Sequence, residues 1–158
     1  YCLARPEVHT LSLGAARPSD FDEHLGIFPH YERATEVTRP LERRLRDEME
    51  HLLGADWCRR WWAGLPEYVT TPGEVNLVEI LRLWTYAKPL ELTEWAKFRY
   101  NMLGQGEHWF PGEHAGKLEV QRLPEVLQRS PFADRIPAIL EEAHRLYFDA
   151  PVKRLSQS

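Results

Sequence analysis

Apolar residues recur along most of this chain at the three-and-four spacing of an amphipathic helix, and one short run alone has the composition of a strand. That run is Val8 to Leu13, mostly β-formers, ending at Gly14. A single strand cannot satisfy its own backbone groups, so it is expected to pair with strands the chain does not supply. A chain opening on Tyr1 rather than Met points the same way, to a piece of something longer. After Gly14, Pro18-Ser19-Asp20 is expected to start a helix with Phe21, Leu25 and Phe28 about a turn apart.

The next helix is expected at Thr38-Arg39-Pro40, with Thr38 as N-cap and Pro40 in the first turn. Leu41, Leu45, Met49 and Leu52/Leu53 form its stripe, and Gly54 is a natural stop. Asp56 is expected to cap a short aromatic helix, Trp57 to Ala63, before a Pro/Gly-rich connector from Gly64 to Gly73. A helix from about Asn76 to Lys88 should halt at Pro89, and another should run from Thr93 to Gly104. Gly104 to Gly116 reads as a long polar loop. Helices at Pro124–Gln128 and Ile136–Phe148 close the pattern, and Pro151 to Ser158 reads as a loosely held tail.

Two segments superimpose in sequence. Thr71-Pro72 leads to Leu77, Ile80 and Leu81, while Ser130-Pro131 leads to Ile136, Ile139 and Leu140. Each is a hydroxyl residue, a proline turn and a helix with an i, i+3, i+4 stripe. The match is expected to reflect a duplication whose copies pack around a shared core.

Composition removes several classes of function. Hydrophobic residues make up 43% and charged residues 28%, ordinary values for a globular protein. No stretch approaches the roughly 18 apolar residues of a membrane span. The net charge is −4, and the basic run Arg39 to Arg46 gives way at once to Asp47, Glu48 and Glu50. That alternation suits a solvated helix face, not a nucleic-acid surface. Cys2 and Cys58 form no motif, and no export signal is visible, so the cytoplasm is the expected compartment.

The order of these segments resembles the C-terminal part of bacterial aldo/keto reductases that carry a ferredoxin-like module. Val8-His9-Thr10-Leu11-Ser12-Leu13-Gly14-Ala15-Ala16-Arg17-Pro18-Ser19-Asp20-Phe21-Asp22-Glu23-His24-Leu25 is similar to the last barrel strand, its loop and the following helix of that family. The two Ser/Thr-Pro helices are similar to the doubled Cys-Pro helices of two-cluster ferredoxins. The resemblance implies a mainly α fold: a helical ferredoxin-like domain with two pseudo-repeated copies, preceded by the last strand and helix of a (β/α)8 barrel. Residues 1–34 would be the barrel end, 35–150 the helical domain and 151–158 the tail.

In the ferredoxins the cysteine thiolates hold iron–sulfur clusters. Here Thr71 and Ser130 stand where the last cysteines would be. Counting back in ferredoxin spacing reaches Val126, Leu123 and Val120 from Ser130, and Tyr68 and Leu65 from Thr71. None can bind a soft cluster, so the resemblance implies the fold and excludes an iron–sulfur cofactor. Val120, Leu123 and Val126 are expected to fill the space by apolar packing.

In the barrel family the loop and helix start after the last strand grip a nicotinamide dinucleotide, whose phosphates meet backbone N–H groups. Carried over, Gly14 and Ala15 are the close-approach positions, Arg17 reaches a phosphate, and Glu23 and His24 fall where the family has Glu-Asn against the adenosine. Asp20 stands where many NADP-dependent members have a basic residue, which leaves NAD against NADP open. A surface ion pair of Arg17 with Glu23 is the alternative for those two. The family's catalytic Asp, Tyr, Lys and His lie on earlier strands, so no complete active site is expected here. Tyr68, Tyr86 and Tyr100 read as packing residues.

Two further features carry less. His108 and His114, six residues apart in a Gly-rich loop, lack the spacing and third ligand of a metal site. Their loop reads as a connector pegged by Trp109 and Phe110. The tryptophans Trp61, Trp62, Trp84 and Trp95 read as core before they read as a binding face. Two functions remain: the C-terminal portion of an NAD(P)-dependent oxidoreductase, or a free-standing helical interaction module with no catalysis. Neither nucleic acid nor membrane is an expected partner, and a homo-oligomer stays open.

Overall fold

The computed structural model describes residues 1–106 and 110–149. Among these the chain is mainly helical, with seven α-helices and no strand. They are α1 (Asp20–Leu25), α2 (Ala34–Leu53), α3 (Ala55–Arg60), α4 (Leu77–Leu90), α5 (Thr93–Tyr100), α6 (Leu123–Leu127) and α7 (Ile136–Tyr147). The chain divides into two compact units, Tyr1–Asp47 and Glu48–Ser158.

The first unit holds α1 and most of α2, and none of its residues is buried. Phe21, Leu25, Ile27, Phe28, Tyr31, Val37, Leu41 and Leu45 are all exposed. The expected strand at Val8 to Leu13 is irregular chain. Its β-formers meet no partner strand among the described residues, and without a ladder a strand has nothing to close its backbone groups. The helix expected at Thr38 begins a turn earlier, at Ala34, and carries Pro40 inside it. Proline there forfeits only its own bond to the Glu36 carbonyl, and Ala34 and Glu36 are good helix formers, so the helix starts ahead of it.

The second unit closes a core. Leu53, Trp57 and Trp61 contribute from the end of α2, α3 and the turn after it. The matching stripes Leu77, Ile80 and Leu81 of α4 and Ile136, Ile139 and Leu140 of α7 are buried at all six positions. These two helices pack on each other, and α5 packs on both. The Ser/Thr residues that open the two segments, Thr71 and Ser130, are buried as well. Asn76 caps α4 by accepting from the Glu79 N–H at 3.0 Å. Its side-chain amide donates to the Pro111 carbonyl at 2.7 Å, which ties the long loop to the helix start. Pro89 does not halt α4; in the last turn it costs one bond to Thr85, and the helix ends at Leu90 with Glu91 left-handed at φ 55°.

Two glycines mark where the halves of this unit meet. A Cβ on Gly64 would lie 2.2 Å from the Arg129 carbonyl oxygen, and one on Gly73 would lie 2.1 Å from that of Lys117. Each therefore lets the loop before one Ser/Thr-Pro helix approach backbone of the other segment. Where cluster ligands would stand, Leu123 is buried and Leu65, Tyr68 and Val126 are half-buried. Val120, expected to pack there too, is 59% exposed. It falls in the 3-10 turn Val120–Arg122 ahead of α6, which directs its side chain away from the core.

Candidate functional site

The five residues expected to hold a dinucleotide lie in the first unit, and the structure brings only two of them to one cavity. Gly14 and Ala15 are exposed, and a Cβ on Gly14 would meet no described residue within 4 Å, so no close approach among these residues requires glycine there. Arg17 is 80% exposed and pairs with Asp20 at 3.5 Å, not with Glu23. The Ala16 and Arg17 N–H groups, which a phosphate would need, donate to the Asp20 carboxylate at 2.9 and 3.0 Å. An anionic cofactor would have to displace that carboxylate, so in this arrangement the loop fits a phosphate poorly. Glu23 and His24 line an open, mainly apolar cavity of about 760 Å³ together with Leu11, Leu13, Ile27 and Tyr31. His24 stands edge-on to Phe21 at 5.9 Å, and its Nδ1 is buried without a partner among the described residues.

The second unit holds a cluster of titratable rings that local spacing in the sequence did not reveal. Tyr100 ends α5, His144 lies in the last turn of α7, and His114 precedes the short turn Ala115–Lys117. Tyr100 is fully enclosed, and its hydroxyl lies 2.8 Å from His144 Nδ1. The Ala115 N–H donates to the same hydroxyl oxygen at 3.0 Å. The Gly116 N–H donates to His114 Nδ1 at 3.1 Å. The two imidazoles stack, 5.3 Å apart and 17° from parallel, and Phe148 covers both at 4.7 and 4.6 Å.

Burial decides the charge of each ring. It pushes the Tyr100 phenol far above its ordinary range, so it stays protonated. It holds His144 below the ordinary histidine value. Burial, and next the neighbouring His144, do the same to His114. At neutral pH the cluster is therefore uncharged, with Tyr100 and His144 joined by a hydrogen bond and His114 joined to them by stacking. Tyr100, shut from solvent, cannot reach a substrate; it orients His144. His114 and Phe148 face an open cavity of about 990 Å³, also lined by Lys97, Asn101, Glu113 and Lys117.

Tyr100 is a packing residue as expected, with a polar task added. His144 drew no attention in sequence because nothing near it in the chain is its partner. The expected His108–His114 comparison lies partly outside the described residues, as does the Trp109 peg. Phe110 does pack against the core, with the guanidinium of Arg99 5.1 Å from its ring centre. Trp61 and Trp84 are core, Trp95 is half-buried against it, and Trp62 is exposed. Burial, with Glu50 next, raises the Cys58 thiol above its usual value, which disfavours the thiolate. Among the described residues no three His, Cys, Asp or Glu side chains are grouped to hold a metal ion, and no helix is long and apolar enough to cross a membrane. No protein-family model matches the chain, and neither a curated protein nor a solved structure matches it.

Proposed function

We propose that the chain is the C-terminal portion of an NAD(P)-dependent aldo/keto-reductase-like oxidoreductase. Residues 1–34 complete the barrel, and residues 35–150 form a helical ferredoxin-like domain that has exchanged clusters for apolar packing. The observation that carries this reading is the first unit, which buries no residue and exposes a row of aromatic and aliphatic side chains around an apolar cavity. Such a surface suits a segment evolved to lie under something else. Two matched Ser/Thr-Pro helices packed together support the ferredoxin-like part. NAD(P) would supply hydride; Glu23 and His24 would meet its adenosine side, with Gly14, Ala15 and Arg17 nearer the phosphates once Asp20 is displaced.

The test compares this chain with the natural gene product, by intact mass and by amide hydrogen exchange. A product much heavier than 18.6 kDa, with Thr10 to Leu13 protected only in the longer chain and NADPH fluorescence changing only there, is the expected result. A product starting near Tyr1, with strong protection of Thr10 to Leu13 in a monomer, overturns it. The second reading, a helical interaction module, is favoured by one fact: residues from Leu53 to Tyr147 enclose a core among themselves. That outcome of the mass measurement would select it.

A further inference from the structure

The ring cluster of the second unit constrains its own protons. The Tyr100 oxygen accepts from the Ala115 N–H, and its own proton has one acceptor among the described residues, His144 Nδ1, which is bare when that buried proton is satisfied. Gly116 N–H likewise requires a bare Nδ1 on His114. Both imidazoles are therefore neutral, with their protons on Nε2. A proton added to His114 Nδ1 faces the Gly116 donor; one added to His144 Nδ1 can use the second lone pair of the Tyr100 oxygen only beside the Ala115 N–H and with the buried Tyr100 proton left without an acceptor. A second positive ring would also stack on the first at 5.3 Å. The Tyr100–His144 bond joins α5 to α7, the Ala115–Tyr100 bond and the His114–His144 stack tie the Ala115–Lys117 turn to both helices, and the Gly116–His114 bond braces the turn itself.

From these contacts we infer that Tyr100, His144 and His114 form an acid-sensitive latch, which holds the 113–118 segment against α5 and α7 near neutral pH and lets it go on acidification. The charged groups around it do not cancel this. From the segment itself Glu113 favours a charged His114 and Lys117 opposes it. Lys97 and Glu94 of α5 and Asp149 line the same cavity. On α7, Glu142 is held by Trp84 and Lys88 of α4. Release would widen the cavity beside His114, where Lys97, Asn101, Glu113 and Lys117 converge on open space.

The direction follows from linkage. Both histidines bind protons less readily when folded, so the closed form is favoured above the unperturbed histidine pKa of about 6.5 and loses ground as pH falls below it. Hydrogen exchange at two amides reads the latch: Ala115, bonded to the Tyr100 oxygen, reports His144 through Tyr100, and Gly116, bonded to His114 Nδ1, reports His114. After correction for intrinsic exchange, protection at both should fall about tenfold or more between about pH 7.5 and about pH 5. His144→Gln keeps an acceptor for Tyr100 but cannot titrate, so it should remove the acid loss at Ala115 and leave that at Gly116. His114→Gln should do the reverse. Protection that does not change with pH in the unaltered chain overturns the inference. So does an unchanged acid response at Ala115 in His144→Gln. Should a variant fail to fold, NMR titration of the unaltered chain decides: Cε1–H midpoints below about 6.5 for both rings support the latch, and midpoints at or above it overturn it.

Discussion

Replacing Gly73 by alanine tests whether the two Ser/Thr-Pro segments are docked through backbone contact. Gly73 has φ 73° and ψ 16°, a left-handed conformation that costs an L-residue roughly 1–2 kcal/mol. Its new Cβ would lie 2.1 Å from the Lys117 carbonyl oxygen and 3.0 Å from the carbon. Both are backbone atoms and cannot rotate away, so the segment must shift, adding about 1–3 kcal/mol as overpacking does. The expected loss is about 2–5 kcal/mol. Gly106→Ala is the control, because φ is 77° there too but no described residue lies within 4 Å of the added Cβ. It should cost only the conformational part, roughly 1–2 kcal/mol. Urea unfolding followed by fluorescence of Trp57, Trp61 and Trp84, all buried, gives both values from the midpoint and slope. Equal losses in the two variants would refute the claim that close backbone approach, and not the left-handed turn, is what demands glycine at 73. Gly64→Ala, whose Cβ would meet Arg129 backbone at 2.2 Å, extends the test. If the two contacts belong to one docked surface, the double variant should lose less than the sum of the singles.

Leu123→Ala should lose about 2–5 kcal/mol in the same assay, whereas Val120→Ala, 59% exposed, should stay within about 0.5 kcal/mol. Thr85→Val leaves the Trp57 indole N–H without the hydroxyl it meets at 3.0 Å in the core, and should cost about 1–3 kcal/mol by urea unfolding. Burial raises Tyr147 to about 12 and Tyr100 further, so absorbance at 295 nm of the folded chain near pH 11 should lack the tyrosinate signal of these two among its six tyrosines. Because the unfolded chain gives up those protons near pH 10, stability should fall as pH rises above that value.

How much of this was legible depended on whether partners lie close in sequence. The helices α4 and α7 were readable because Leu77, Ile80 and Leu81, and Ile136, Ile139 and Leu140, repeat a stripe after a proline turn, and the same residues form the core. Cap and stop signals were weaker guides. Thr38-Arg39-Pro40 looks like a helix start, yet a single proline removes one bond and the neighbouring residues carried the helix past it. Val8 to Leu13 has strand composition, but a strand is a property of two segments, and composition reports on one. At the expected dinucleotide loop, Asp20 reaches back to the amides of Ala16 and Arg17, a local contact that propensity does not weigh against an absent phosphate. The Tyr100–His144 bond joins residues 44 positions apart, so no window of sequence could have offered it.

The contrast between the two units bears on where function resides. Burying a large aliphatic or aromatic side chain contributes roughly 1.5–3 kcal/mol, and the second unit gains this many times over from Leu53 to Tyr147. The first unit gains it nowhere: Leu25 is 57% exposed and Phe28 60%. Its order thus rests on local hydrogen bonds such as those at Asp20, each worth about 1 kcal/mol net. Its apolar side chains hold an unused driving force for any surface that fits them. Under the reading proposed above that surface is the barrel, and the free energy missing from the first unit is what attaches the helical domain to it. A covering surface should then tighten Phe21 to Tyr31 far more than it tightens the core of the second unit. The order in which amides gain protection on assembly would make that difference measurable: uniform gains in both units would contradict the assignment of the attachment to residues 1–47.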